Sequence, residues 1–219
     1  MKAIILFSGG LDSTVILAMA MHAGLDCYAL SFDYGQRHRI ELEAAKAIAQ
    51  RYGVAHRIVK IDPANFGRSA LLSAHEAVPK GRSSEQMAAE GLPNTYVPAR
   101  NTLFLAYALG QAEMLQAQEI HVGFNATDRL PYPDCSPDYV QAFQRLVSVL
   151  TAAEGKTLQL VAPIIQWSKP EIVRRGLALH APLDMTFSCY DPTAEGRPCS
   201  QCDACRLREE GFAATMTLS

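Results

Sequence analysis

What the chain lacks narrows the field before any motif is read. No apolar run approaches the ~20 residues that a membrane-spanning helix needs; the longest, Ala3 to Phe7 and Val15 to Met21, stop far short. The N-terminus is Met-Lys and then a strand-like run ending in Ser-Gly-Gly, with no small-residue cleavage site. Neither sign of charge dominates: 20 Lys and Arg stand against 22 Asp and Glu, a net charge of −2. That balance offers no global attraction for nucleic acid or for an anionic membrane surface. G-x-x-x-x-G-K-[ST] occurs nowhere, which excludes a lysine-bearing loop of Walker type around β- and γ-phosphates. There is no internal repeat and no low-complexity tract. With 219 residues, 49% hydrophobic and 19% charged, the expectation is a cytoplasmic globular protein with a core large enough to need no staples.

Short apolar runs alternate with helical periodicity. Strands are expected at Lys2–Phe7, Asp26–Phe32, His56–Ile61, Glu119–Gly123 and Leu158–Ala162. Helices are expected at Ser13–Ala23, Arg37–Tyr52, Asn101–Ala117, Pro137–Ala153 and Ser168–His180. Strands of five to seven residues between such helices make βαβ units, hence an α/β fold with a five-stranded parallel sheet covered on both faces. The segment Asp62 to Pro98, punctuated by proline and glycine, has the character of a lid or binding loop. The boundary is set as a main body of residues 1–185 and a small cysteine-bearing region of residues 186–219.

Ser8-Gly9-Gly10-Leu11-Asp12-Ser13-Thr14 falls where the first strand turns into the first helix. Paired glycines allow close backbone approach and positive φ. The helix start offers unpaired N–H groups and a positive dipole end, and Ser8, Ser13 and Thr14 add hydroxyls. This is a pocket for phosphate. The alternative is a tight βα turn capped by Asp12 or Ser13, with nothing bound.

Six cysteines in a cytoplasmic chain point to metal or catalysis before disulfides. Cys27 and Cys135 stand alone. Cys189, Cys199, Cys202 and Cys205 crowd together, and four thiolates at this spacing suit a closed, structural Zn²⁺ shell. An iron–sulfur cluster, unligated thiols, and two disulfides under oxidising conditions are the other readings.

Further candidates lie beyond the carboxyl ends of the strands, where ligands of open α/β sheets bind. Asp128 and Asp134 can accept hydrogen bonds from a purine-like edge and Tyr132 offers a stacking face; equally, the aspartates cap the helix that Pro137 begins. Asp33-Tyr34-Gly35-Gln36-Arg37-His38 follows the second strand and faces the same edge, with the start of a solvated helix as the favoured reading of Arg37 and His38. Arg100-Asn101 precedes the central helix. Lys169 is either an anion contact or a surface lysine.

S-G-G-x-D-S after a first strand resembles the PP-loop of ATP pyrophosphatases, which split ATP between its α- and β-phosphates. The resemblance extends along the whole chain to the 7-cyano-7-deazaguanine (preQ0) synthase family of queuosine biosynthesis. It is carried by F-S-G-G-L-D-S-T (7–14), F-D-Y-G-Q-R-H (32–38), V-P-A-R-N-T (97–102), Y-P-D-C (132–135), S-K-P-E-I-V (168–173), S-C-Y (188–190) and C-S-Q-C-D-A-C-x-L-R (199–208). It implies a ligase that converts 7-carboxy-7-deazaguanine and ammonia to the nitrile with Mg-ATP, one structural zinc per chain, and a homodimer. Carried over by motif, Ser8, Gly9, Gly10, Leu11, Asp12, Ser13 and Thr14 hold the ATP phosphates with Phe7 and Arg100 beside them. Asp12, Ser13 and Lys169 act in catalysis, Asp128, Tyr132 and Asp134 surround the deazaguanine, and Cys189, Cys199, Cys202 and Cys205 hold zinc.

The chain departs from the family pattern at Leu130-Pro131, where Ser-Gly is usual, at Ser136, where Arg is usual, and at Phe187, where Trp is common. The first two positions lie in the substrate loop. Two rival functions compete. A tRNA thiolase would need reactive cysteines and a basic RNA-binding surface, which the net charge of −2 opposes. A silent nucleotide-binding relative would bind ATP without turnover.

Overall fold

The computed structural model of the chain describes residues 1–89, 91–125, 132–152, 155 and 157–216. Five strands carry the fold: β1 (Lys2–Leu6), β2 (Asp26–Asp33), β3 (Ala55–Lys60), β4 (Glu119–His121) and β5 (Gln159–Val161). They lie in the order β3-β2-β1-β4-β5, and every pairing is parallel. Parallel neighbours cannot be joined by a hairpin, so helices make the crossovers. These are α1 (Leu11–His22), α2 (Glu41–Tyr52), α3 (Ser84–Ala89) with α4 (Arg100–Leu115), and α5 (Pro137–Ala152); α6 (Lys169–Ala178) and α7 (Asp203–Met216) follow the last strand.

The central strand explains the layering. Successive side chains of a strand point to opposite faces. Ala3, Ile5 and Phe7 therefore enter one core with α1, α2 and α6, while Ile4 enters the other with α4 and α5. A strand buried on both faces reads as the continuous apolar run seen at the N-terminus. Helix α1 is covered as thoroughly, with Val15, Ile16 and Leu17 all fully buried. Helix α6 comes this close because residue 176 is glycine: a Cβ there would lie 2.8 Å from Val15 Cγ2.

Several boundaries differ from the sequence expectation for local reasons. Helix α1 begins at Leu11, with Gly10 as an extended N-cap and no side-chain cap. Asp12 and Ser13 thus sit inside the first turn, which removes the reading in which one of them caps it. Helix α2 begins at Glu41 instead of Arg37, because residues 37–40 form a turn closed by Glu41 N–H to His38 O and Leu42 N–H to Arg39 O. Strands β4 and β5 are each three residues long, shorter than their apolar runs.

The segment between β3 and α4 is mostly irregular, as its prolines and glycines require, but it contains α3 and a 3₁₀ turn at Pro63–Asn65. It is anchored at its middle. The Arg82 guanidinium forms a buried ion pair with Asp203 at the start of α7, Gly81 N–H bonds Gln201 O at 2.9 Å, and Lys80 makes an antiparallel bridge with Cys202. Helix α7 was not anticipated from the cysteine-rich sequence; it packs along α6.

Ile120 on β4 is fully buried against the α4–α5 core. Ile120→Ala is expected to cost about 2–5 kcal/mol through lost burial and the cavity left behind. In guanidinium titrations the midpoint should fall with little change in slope; a loss under about 1 kcal/mol would contradict this packing.

Candidate active site

The order of the strands locates the site. The chain runs outward from β1 to β2 to β3 and then returns to place β4 on the other side of β1. That reversal is the switch point at which open α/β sheets bind ligands, outside the carboxyl ends of the strands. A cleft of about 300 Å³ lies there. Its walls come from the β1–α1 loop, the chain after β2, the start of α4, the chain after β4, Lys169, and Phe187, Ser188 and Tyr190.

The β1–α1 loop is built to turn tightly. Gly9 has φ +83°, and a Cβ there would lie 2.6 Å from both Ala45 N and Glu41 O, so α2 rests directly on the loop. Ser8 Oγ and Ser13 Oγ lie 3.2 Å apart; Ser8 Oγ accepts from Gly10 N–H and Ser13 Oγ donates to Gly10 O, each at 3.2 Å. Leu11 N–H bonds Ser188 Oγ at 3.2 Å. The N–H groups of Asp12 and Ser13 meet no acceptor among the described residues. Orphan donors at a helix start are the ordinary means of holding an anion. Beyond β4, Gly123 continues the same wall: a Cβ on it would stand 3.6 Å from Ser13 N.

Lys169 opens α6 behind a capping box formed by Ser168 and Glu171. Its side chain is only 13% exposed, and its Nζ donates to Asp12 Oδ2 at 2.7 Å. This is no surface lysine. A cation is held beside the loop by one carboxylate oxygen, while the other, Asp12 Oδ1, is buried and unpartnered.

Arg100, Tyr34 and Tyr132 meet on the far wall. Arg100 Nη1 donates to the Tyr34 hydroxyl at 3.1 Å, and its guanidinium sits 5.7 Å from the Tyr34 ring centre and 6.0 Å from that of Phe104. Arg100 Nε is buried with no partner. Burial pushes the Tyr34 phenol upward against the pull of Arg100. Tyr132 lines the cleft, and its hydroxyl lies 2.8 Å from Thr95 Oγ1.

The structure thus brings Phe7, Ser8, Gly10, Leu11, Asp12, Ser13, Arg100, Tyr132 and Lys169 to one cleft. Gly9, Thr14 and Asp134 do not line it. Gly9 is packed on α2 and offers only backbone; Thr14 is fully buried, its Oγ1 without a partner. Asp134 is buried behind the wall, where desolvation raises its carboxyl against the field of Arg100. Asp128, like Leu130 and Pro131, lies outside the described residues.

Sequence reasoning missed two groups. His38 is not solvated: it is buried at the cleft, 3.4 Å through Nε2 from Glu41 Oε1. Arg37 is held by Asp191 at 2.9 Å and by the carbonyls of Ala70 and Glu76. Glu41 lines the cleft from the first turn of α2 and accepts from Gln36 Nε2 at 3.1 Å. Burial raises the Glu41 carboxyl to about 7 and, with Arg100 assisting, lowers His38 to about 3. Polar residues recurring at 36, 38 and 41 straight after an apolar strand were the available signal. Arg208, the second, lines the cleft while donating to Thr186 Oγ1 at 2.6 Å and Leu183 O at 2.9 Å.

Cys189, Cys199, Cys202 and Cys205 lie outside the cleft with all four sulfurs within 4.8 Å of one another. Sulfurs about 2.3 Å from a tetrahedral metal sit ~3.8 Å apart, so the cluster needs only slight contraction to close on an ion. Backbone N–H groups of Cys199, Cys202, Asp191 and Tyr190 point at these sulfurs from 3.2–3.4 Å, which favours thiolates. The set can hold a metal.

A five-stranded parallel sheet with a lysine-free glycine loop at its switch point defines an open α/β protein with an anion-binding loop. The chain belongs to the family described as queuosine biosynthesis protein QueC, which it matches over residues 2–216. It is 50% identical over 214 residues to the 7-cyano-7-deazaguanine synthase of Saccharophagus degradans, covering 96% of this chain and 92% of that protein. It is 53% identical over 215 residues to the enzyme of the same name from Anaeromyxobacter dehalogenans, covering 97% and 91%. Among solved structures, NMN synthetase from Francisella tularensis superposes with a TM-score of 0.47 at 16% identity, covering 91% of this chain and 70% of that one.

Gly9→Ala tests the loop. The new methyl group would meet backbone on α2 at 2.6 Å in a left-handed conformation. The variant should lose about 2–4 kcal/mol of stability and weaken ATP binding at least tenfold. Calorimetry showing wild-type values for both would contradict the close approach.

Proposed function

We propose that this chain converts 7-carboxy-7-deazaguanine and ammonia to 7-cyano-7-deazaguanine, cleaving ATP between its α- and β-phosphates. The observation that carries the reading is the β1–α1 loop: orphan N–H groups and no lysine in the loop itself, with Lys169 delivered from α6. Family membership over nearly the whole chain supports the choice of substrate.

A carboxylate resists ammonia because the departing group would be oxide. Attack of a carboxylate oxygen on the α-phosphorus makes that oxygen part of AMP, a good leaving group, and expels pyrophosphate. Ammonia then displaces AMP to give the amide. A second adenylylation, on the amide oxygen, allows loss of AMP and a proton, leaving the nitrile. In this reading the N–H groups of Asp12 and Ser13 and the ammonium of Lys169 stabilise charge on the phosphates in a partly enclosed site. Asp12 holds Lys169 in place, and Ser8 and Ser13 brace the turn. Phe7, Gly10 and Leu11 form the surface the phosphates rest on, and Arg100 presents a second cation across the cleft. Tyr132 and, less directly, Asp134 flank the deazaguanine, as Asp128 does by motif. Mg²⁺ accompanying ATP supplies further charge neutralisation.

Zinc is the ion assigned to the four thiolates. With every position of a tetrahedral shell filled by protein sulfur, its role is structural. Residues 186–219 form the metal-organised region and residues 1–185 the nucleotide-binding body. The working form is a cytoplasmic homodimer acting on small molecules.

The decisive experiment incubates protein, Mg-ATP, ammonium and the carboxylated deazaguanine. AMP, pyrophosphate and, by mass spectrometry, the nitrile should form; ADP and phosphate would contradict the scheme. Lys169→Ala should lower kcat about 10²–10³-fold without unfolding the protein. Metal analysis should give one zinc per chain, lost together with the ordering of residues 189–205 in Cys202→Ser; iron, or no metal at all, would exclude the zinc assignment.

A further inference from the structure

The reaction leaves one task unassigned: a proton must leave nitrogen, first as ammonium is deprotonated to free the lone pair that attacks carbon and last as the adenylylated amide collapses to the nitrile. We infer that Glu41 is the base that takes this proton. The inference rests on the function proposed above.

Three observations place the carboxylate there. Glu41 occupies the first turn of α2 and lines the cleft, while its main-chain carbonyl packs on Gly9 of the phosphate loop. Its neighbours crowd one oxygen: Gln36 Nε2 donates to Oε1 at 3.1 Å, and His38 Nε2 lies 3.4 Å from the same atom. The side-chain contacts of Glu41 among the described residues fall on Oε1, and Oε2 is not among the sealed, unpartnered atoms. One oxygen is thus held and the other is open to the cleft.

The surroundings suit a base near neutrality. The charged and titratable groups acting on Glu41 among the described residues are Arg100 from α4 and Tyr34 and His38 from the chain after β2. Desolvation outweighs Arg100 and raises the carboxyl to about 7. A base with a pKa close to the working pH transfers protons most effectively. His38, lowered to about 3, stays neutral 3.4 Å from Oε1 and does not compete for the proton.

The steps balance. Ammonium passes a proton to Oε2, its freed lone pair forms the C–N bond, the C–O bond to AMP breaks with its electron pair leaving on AMP, and the resulting –NH3+ sheds a second proton to water to give the amide. In the last step the =NH2+ of the adenylylated amide gives one proton to water, Oε2 (returned to carboxylate by proton loss to solvent) removes the remaining N–H proton, those electrons become the third C–N bond, and the second AMP departs.

Glu41→Gln keeps the shape and the hydrogen bond but not the basicity. In wild type, kcat/KM for ammonium should fall below about pH 7 as the carboxyl is protonated. Glu41→Gln should lose that acid limb and form nitrile about 10²–10⁴-fold more slowly. Its single-turnover pyrophosphate burst without ammonium should fall less than about threefold, and Glu41→Asp should recover part of the rate. Equal loss of burst and nitrile formation would mean a merely structural role and overturn the inference, as would nitrile formation within about threefold of wild type. Absence of any pyrophosphate burst in wild type would instead sink the parent reading, so the two failures are told apart.

Discussion

The whole site depends on one close approach, the phosphate loop against the first turn of α2. Only a residue without a Cβ fits between Ala45 N and Glu41 O, and only in a left-handed conformation. That contact sets where the chain leaves β1, and hence where the first turn of α1 presents its unpaired N–H groups. The serine hydroxyls then lock the turn from within. An anion site made of backbone cannot be tuned by exchanging side chains; it is fixed by packing, and here the packing is backbone on backbone.

The C-terminal region is tied to the same loop. Phe187 N–H bonds Gly9 O at 3.0 Å and Ser188 Oγ accepts from Leu11 N–H, and the next residue is Cys189. From the other side Lys80 and Arg37 both reach Asp191, and Arg82 is buried against Asp203. The cysteine cluster therefore anchors one wall of the cleft and the segment that arches over from β3. An ion held there would act on the reaction by fixing geometry, at a distance from the chemistry. Charges buried in pairs of this kind make a poor source of net stability, but breaking one leaves an uncompensated charge inside, so they fix a unique arrangement.

Much of the architecture was legible because it follows from periodicity. The apolar run of β1, the alternating helices and the glycine turn all report local physics, and the topology of parallel strands then places the cleft. The cysteine spacing was equally readable. What was not legible depends on burial that no local pattern encodes. Arg37 and His38 look like a solvated helix start, yet one is captured by Asp191, more than 150 residues away in sequence, and the other is roofed by Tyr190. Lys169 looks like any surface lysine until Asp12 is brought to it across the α1–α6 contact. Helix α7 was hidden by its weak amphipathicity, since it packs through a mixture of cysteines, an arginine stack on Phe212 and a few apolar side chains.

The claim on which everything turns is that a substrate carboxylate oxygen attacks the α-phosphorus of ATP held at residues 8–14. It is tested most directly with substrate whose carboxylate carries ¹⁸O in both positions. The account predicts that both labelled oxygens end in AMP, one in each of two molecules per nitrile formed, with none in pyrophosphate. Label recovered in pyrophosphate or phosphate, or AMP free of label while nitrile accumulates, would contradict it.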